Sequence, residues 1–458
     1  MTAHRRRHHR SLARVWHLRV FTLAWPILVS MFSYSAMTVA DTLFVSWLGT
    51  AALAAIGLAA TLGLLATAFG NGLLGGVRVT VAQAVGARDE ALARTLGWQG
   101  IWLALALGLP VALLARHGAP LFGWMGASPE VSTLAASYFT WRTLAAPAVF
   151  ANTALGGWFQ ARGDTRTPMV AAVLGNVVNI ALDPVLIFGL GPVAPMGIEG
   201  AAIATVTSQA VMLSVLVVPA ARDLLRRISL PERAAVRSIV RVGLPTGIQY
   251  TLDIASFTAF CALLARSGDA HLAAHVIAVR IIMLSFLPGL AIGQAAGVLV
   301  GQAVGARRPE RARRAFRTGA EQATVVMGLL GLAFIVFPDA LVGVFGAAPE
   351  VAVLASQVLL VAAAIQLSDA IATTALCSLT GAGDTRFVLA ISVGASWLVK
   401  LPIAAALVLG TDLGVVGAWL GVAAEITALA VVATARIRGA AWLRDGEPLA
   451  AASAVATP

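Results

Sequence analysis

Residues 25–48 read WPILVSMFSYSAMTVADTLFVSWL. About 20 consecutive apolar residues let a helix cross the hydrocarbon core of a bilayer, and this stretch is long enough. One acid, Asp41, lies well inside its apolar run. A carboxylate in hydrocarbon costs roughly 2.5–3.5 kcal/mol on insertion scales, so an intramembrane Asp marks a functional position unless it sits hydrated or paired at the membrane edge. Asp41 is therefore the first candidate for coupling chemistry.

The rest of the chain has the same character. Of its 458 residues 59% are hydrophobic and 12% charged, half the charged share of about 25% typical of soluble domains. Apolar segments of spanning length fall around 21–48, 53–77, 95–116, 134–158, 168–190, 198–219, 240–265, 274–300, 318–337, 352–376, 387–410 and 414–436. Twelve spans make this a polytopic, all-α integral membrane protein. The net charge is +11, but the arginines stand in short blocks between apolar runs. They read as orientation signals and contacts to anionic lipid headgroups, not as a nucleic-acid surface. The two cysteines, Cys261 and Cys377, fall inside apolar segments, which disfavours a disulfide framework or a metal site.

The basic N-terminus is followed by a full-length apolar segment with no small-residue cleavage site, so the first helix is expected to be retained. With the N-terminus cytoplasmic, inside loops carry Arg88 and Arg94, Arg162 and Arg166, Arg222 to Arg237, Arg307 to Arg314, and Arg386. Outside loops hold chiefly Arg116 and Arg266. This bias places both termini in the cytoplasm and the protein in a bacterial-type cytoplasmic (inner) membrane, as a multi-pass protein.

An internal repeat is visible. QAVGAR at 83–88 recurs at 302–307 and Pro26 recurs as Pro245, each 219 residues on. GDTR at 163–166 recurs at 383–386, and GASPEV at 126–131 recurs as GAAPEV at 346–351, each 220 residues on. Each half then holds six spans, and an even number makes the two six-helix bundles parallel repeats. The expected divisions are a basic tail at 1–18, an N-lobe of spans 1–6 at 19–219, and a solvated linker at 220–238. A C-lobe of spans 7–12 follows at 239–438, and a cytoplasmic tail at 439–458.

The paired GDTR and QAVGAR loops, together with NIALDPVLIFG at 179–189, resemble the multidrug and toxic compound extrusion (MATE) family over about residues 15–440. The resemblance implies a secondary antiporter without a cofactor, exporting small amphipathic, mainly cationic compounds by alternating access in exchange for protons or sodium ions. Its partners would be those substrates and membrane lipids, with no nucleic acid, and a monomer is expected. Carried over residue by residue, the family's N-lobe ion-coupling cluster falls on Asp41, Asn179, Asp183 and Thr205. Asn179 and Asp183 are four apart and share one helix face. Their oxygens suit a hard cation, so sodium at Asp41, Asn179 and Asp183 stands beside the preferred coupling ion, the proton. The plainer alternative for this pair is helix-to-helix hydrogen bonding.

In the C-lobe, Asp253 and Asp369 match positions where the sodium-coupled branch carries acids, while the N-lobe resembles proton-coupled relatives. Lys400, the only lysine in the chain, and Glu425 lie in neighbouring spans and can neutralise one another, whether as a structural pair or in a cavity. Arg142 reads as a snorkelling or loop-bracing residue. Trp16, Trp47, Trp98, Trp124 and Trp442 fall near span ends, where aromatic belts are expected. No phosphate-binding loop, HExxH or nucleophile elbow is present, so an enzyme is not expected. The alternatives are a lipid-linked oligosaccharide flippase of the wider superfamily, the major facilitator fold, which the duplicated GDTR loops disfavour, and an intramembrane aspartyl enzyme.

Overall fold

The computed structural model describes residues 2–190, 193–439 and 442. The expected C-terminal tail, 439–458, lies outside the described residues apart from Gly439 and Trp442, as do the side chains of residues 1–13. Among the described residues every regular element is a helix. The first half runs α1 (Thr2–Ser46), α2 (Thr50–Gly86), α3 (Glu90–Leu113), α4 (Gly118–Trp124), α5 (Pro129–Leu144), α6 (Ala146–Ala161), α7 (Arg166–Phe188) and α8 (Ile198–Leu224). The second runs α9 (Arg233–Leu264), α10 (Asp269–Gly305), α11 (Pro309–Val336), α12 (Pro338–Gly343), α13 (Pro349–Ala382), α14 (Thr385–Gly394), α15 (Leu401–Gly410) and α16 (Gly414–Arg438).

Eleven helical segments among the described residues are long and apolar enough to cross a membrane. The remaining expected span, 134–158, is two 16-residue helices, α5 and α6, meeting at Ala145 with Pro147 in the first turn of α6. Proline's fixed φ and missing N–H favour a helix start there. Counting α5 and α6 as one crossing gives the twelve spans. Their outer faces are apolar: Val325, Leu329, Leu332 and Ile335 of α11 are all exposed, the pattern of a lipid-facing helix.

Polar side chains close the turns between spans. Asp89 accepts from the backbone N–H of Leu92 (2.9 Å) at the start of α3, and Ser128 accepts from that of Val131 (3.4 Å) at the start of α5. In the first GDTR loop Asp164 accepts from the backbone N–H groups of Arg166 (3.1 Å) and Thr167 (3.0 Å) and from the Thr167 hydroxyl (2.6 Å), so the motif is a helix start. In the second, Asp384 pairs instead with Arg436 of α16 at 2.8 Å. The repeat extends to backbone shape. Left-handed φ values recur at Gly126 and Gly346 (82° and 60°), Gly163 and Gly383 (89° and 93°), and Arg88 and Arg307 (63° and 53°). A left-handed arginine costs of order 1–2 kcal/mol, so its recurrence at equivalent turns shows that both copies need that bend.

Two compact units result. One comprises Pro26–Val85 and Asp89–Gly247, the other Met1–Trp25, Gly86–Arg88 and Ile248–Pro458. The chain passes from one to the other inside α1 and α9, one residue before Pro26 and two after Pro245, and not within 220–238. The first unit is centred on Leu74, Val77, Phe150, Leu155 and Trp158. Residues 225–232, the exposed middle of the expected linker 220–238, are tied to this unit by hydrogen bonds. Buried Gln99 donates to the carbonyl of Leu230 (3.0 Å) and accepts from the N–H of Glu232 (3.0 Å), while Trp102 donates to the carbonyl of Ser229 (3.0 Å).

The second unit is centred on Phe260, Leu264, Leu359 and Trp419. Trp442 belongs to its packing and not to an aromatic belt: it is 1% exposed and donates to the carbonyls of Ile437 (2.9 Å) and Gly439 (3.1 Å). Trp47 and Trp124, by contrast, are exposed as a belt requires. Helices α10 and α13 approach so closely that a Cβ on Gly381 would lie 2.1 Å from the carbonyl oxygen of Gly297. Gly381→Ala is therefore expected to destabilise the purified protein by about 1–3 kcal/mol. Gly156→Ala, with nothing within 4 Å of the added atom, should be neutral or better. Paired melting curves in detergent check both.

Candidate functional site

In the unit Pro26–Val85 and Asp89–Gly247, α1, α5, α7 and α8 converge on Asp41. Asp41, Asn179, Asp183 and Thr205 are 7%, 0%, 0% and 1% exposed, so all four expected residues are buried, and they are buried together. The Asn179 amide, oriented to satisfy both neighbours, donates to Oδ1 of Asp41 (2.8 Å) and accepts from the backbone N–H of Thr205 (3.3 Å). That orientation is assigned from the hydrogen-bond network. The Thr205 hydroxyl turns back to the carbonyl of Ala201 (3.0 Å). The carboxyl of Asp183 lies within hydrogen-bond reach of Asp41. No donor reaches either of its oxygens.

Two carboxyls in reach of one another, away from water, bond only if one carries a proton. The spacing that makes this possible is local: Asn179 and Asp183 are one turn apart on α7, and α8 packs on that face because Gly200 lets its backbone approach Leu186 and Ile187.

Two residues of α5 join the site. Tyr138, 4% exposed, reaches the Thr205 side chain. Arg142 acts electrostatically on Asp41. It lines a small cleft with Thr67, Val149, Thr205 and Gln209. Nothing in the sequence marked Tyr138, because its partners come from other helices. Arg142 was visible as a charge in a span, and only the packing shows where it points.

The other unit gathers its own charges. Lys400 pairs with Glu425 at 3.3 Å, their side chains 11% and 12% exposed, and the Ser396 hydroxyl donates to the same carboxylate. Lys400 and Ser396 share a π-helical turn, Ala395–Lys400, just before Pro402 of α15. Proline has no N–H to continue the α-helical ladder, which favours such a widening. Asp253 feels both Glu425 and Lys400 and accepts a long bond from Gln249 (3.5 Å). Asp369 feels Glu425 and accepts from Thr373 (3.1 Å). The four expected C-lobe residues thus form one electrostatic group, although among the described residues no three acids, histidines or cysteines could hold a metal ion together.

Sequence reading passed over His275 of α10. It is 2% exposed, accepts from the Trp419 indole (3.3 Å) and meets Cys261 at 3.6 Å. Trp419 is a donor only, so Nδ1 of His275 must be unprotonated here.

Twelve membrane-crossing segments among the described residues, in two repeated halves with carboxylates buried inside each half, fit a membrane transporter. Known proteins agree. The MatE family model matches residues 26–185 and 245–406. The chain belongs to the MatE family of membrane transporters. It is 31% identical to a probable multidrug resistance protein NorM of Pseudomonas aeruginosa over 424 residues, covering 90% of this chain and 87% of that protein. The corresponding protein of Pseudomonas putida is 32% identical over 425 residues, covering 90% and 92%. A multidrug resistance MATE family transporter in an outward-facing conformation shares the fold with a TM-score of 0.86 at 24% identity, over 94% of this chain and 97% of that one.

The C-lobe pair yields a stability prediction. Lys400→Met strands a buried carboxylate, and breaking a buried pair this way costs about 3–5 kcal/mol. Adding Glu425→Met is expected to restore most of the loss. Denaturation of the single and double variants measures the difference.

Proposed function

We propose that the protein exports small amphipathic, mainly cationic compounds from the cytoplasm in exchange for protons, by alternating access, with the Asp41–Asp183 pair as the coupling site. The family and the multidrug resistance relatives support the export of diverse compounds. Placement in the cytoplasmic membrane with both termini inside follows from the arginine bias. The reading needs no cofactor and no partner beyond substrate and lipid.

The observation that carries proton coupling is that the Asp41 carboxyl lies within hydrogen-bond reach of that of Asp183. With its amide assigned to satisfy both neighbours, Asn179 presents an N–H to Asp41 and its oxygen to the backbone of Thr205. Thr205 spends its hydroxyl proton on Ala201. An N–H donor suits a carboxylate, and a proton shared between Asp41 and Asp183 joins one oxygen of each. Loading that proton removes net charge from a buried site, which lowers the cost of repacking α1 around it. Acids in such a site also attract cationic compounds when ionised and release them when neutralised.

Sodium is the second reading, and a specific geometry would favour it. A cation between Asp41 and Asn179 requires the amide turned over, with its oxygen toward Asp41. The two readings therefore expect opposite orientations of the Asn179 amide.

The expected outcome is that proteoliposomes and cells expressing the protein extrude cationic dyes, and that Asp41→Asn and Asp183→Asn each abolish gradient-driven efflux. Asp253→Asn and Asp369→Asn should instead alter substrate range or affinity. At fixed sodium, collapsing the proton gradient with an ionophore should stop transport. Undiminished transport under those conditions rejects proton coupling, and sodium-dependent transport there establishes the second reading.

A further inference from the structure

Beyond the acid pair itself, the unit Pro26–Val85 and Asp89–Gly247 buries polar atoms that no protein group satisfies. Among the described residues they are the Asp183 oxygen left over when the other shares a proton with Asp41, Oδ1 of Asn176, the hydroxyl of Ser208 and Oδ1 of Asn152. These residues are 0%, 1%, 0% and 8% exposed. Buried polar groups are nearly always paired, and where protein supplies no partner an internal water usually does. In a membrane-spanning bundle no bulk solvent relieves the cost, so the demand is stronger.

The orphan groups are ordered along a line. Asn176, Asn179 and Asp183 lie on one face of α7, and Thr205, Ser208 and Gln209 on one face of α8. The two helices run antiparallel with known register: Asn179 meets the backbone of Thr205, and Gly175 packs on Met212 and the carbonyl of Ser208. Asn176 and Ser208 therefore occupy the level one turn below the Asn179–Thr205 contact. Beside Ser208 is Gln209, whose Oε1 accepts from Asn152 of α6 at 2.9 Å.

Asp183 and Asn176 stand seven residues apart on α7, roughly 10 Å at about 1.5 Å per residue, whereas Ser208 and Gln209 are neighbours on α8 at the level of Asn176. The longer gap is too far for a direct bond of about 2.8 Å and takes a short row of waters, each bonded to the next.

Two details sharpen the case. Thr205, Thr207 and Ser214 of α8 all return their hydroxyls to the carbonyl four residues earlier, and Ser208 alone among these does not. Asn176 donates to Ser33 (2.7 Å), and its oxygen is left buried without a partner among the described residues. Thr205 and Gln209 also line the cleft beside Arg142, so the line borders open space.

We propose that these groups hold a chain of internal waters running from Asp183 past Asn176 and Ser208 to Asn152 and Gln209, and that this chain carries the coupling proton between the acid pair and the cytoplasmic half of the unit. The direction follows from α7, which starts at Arg166 in a loop read as cytoplasmic, so Asn176 is nearer that side than Asp183. The carrier role rests on the proton-coupled reading above. The waters do not.

The test uses the full-length protein in liposomes. Hydroxyl-radical footprinting in 18O-water marks side chains beside internal waters, and Met212, 3% exposed and packed at this level, is the reporter. Met327, 0% exposed in the other unit, is the dry control. Met212 is expected to label several-fold faster than Met327. Ser208→Ala, a mild change, and Asn176→Leu should each suppress that labelling and slow substrate-driven proton movement roughly tenfold, with substrate KM unchanged.

Labelling of Met212 no faster than Met327 overturns the proposal, as does proton movement at the wild-type rate in Ser208→Ala once its labelling is lost. Labelled Met212 with transport indifferent to the ionophore would leave the waters standing and overturn their role as proton carriers. That result separates failure of the coupling reading from failure of this one.

Discussion

Hydrocarbon offers no hydrogen-bond partners, and nearly every polar feature of this protein answers to that constraint. A backbone in lipid must satisfy itself, so the chain is helical. A side chain in lipid must be satisfied by another helix, so polar residues within spans mark where helices meet. Asn179 shows the rule at its simplest. Its amide has one face on the Asp41 carboxylate and the other on the N–H of Thr205, tying α1, α7 and α8 together through one side chain. The same rule explains Gln99, which closes the backbone of the loop between α8 and α9 from inside.

The two halves share a frame and differ in what they bury. Their turns repeat in sequence and in φ, including the costly left-handed Arg88 and Arg307. Yet the first GDTR aspartate starts a helix, while the second pairs with Arg436. The acid sites have diverged further. Asp41 and Asp183 face each other with an amide between helices, so their charge changes only by gaining or losing a small cation. In the other half, Glu425 already has a cation built into the chain, Lys400, held by a π-helical turn. A carboxylate with a tethered counter-ion is less free to exchange one, which fits a division of labour in which the first half couples and the second shapes the binding of substrate.

Length and hydropathy of the spans, the offset of the repeats, and charges inside apolar runs were all legible in the sequence, because each depends on neighbours within one or two turns or on a repeat that copies itself. From these followed the helical membrane fold, the two halves, and Asp41, Lys400 and Glu425 as residues to watch, while the resemblance to the MATE family added Asn179, Asp183, Thr205, Asp253 and Asp369. The i to i+4 spacing of Asn179 and Asp183 also put them on one face without any structure. What depended on contacts between distant helices was not legible. The break of the fourth span at Ala145, the burial of Trp442, the turning of Arg142 into a cleft, and the company of Tyr138, Asn176, Ser208 and Asn152 are all set by which helix packs on which face. A polar residue in a span announces that it needs a partner; only the tertiary structure decides which one it finds, because the partners lie tens to hundreds of residues away and are brought within 3 Å by packing alone.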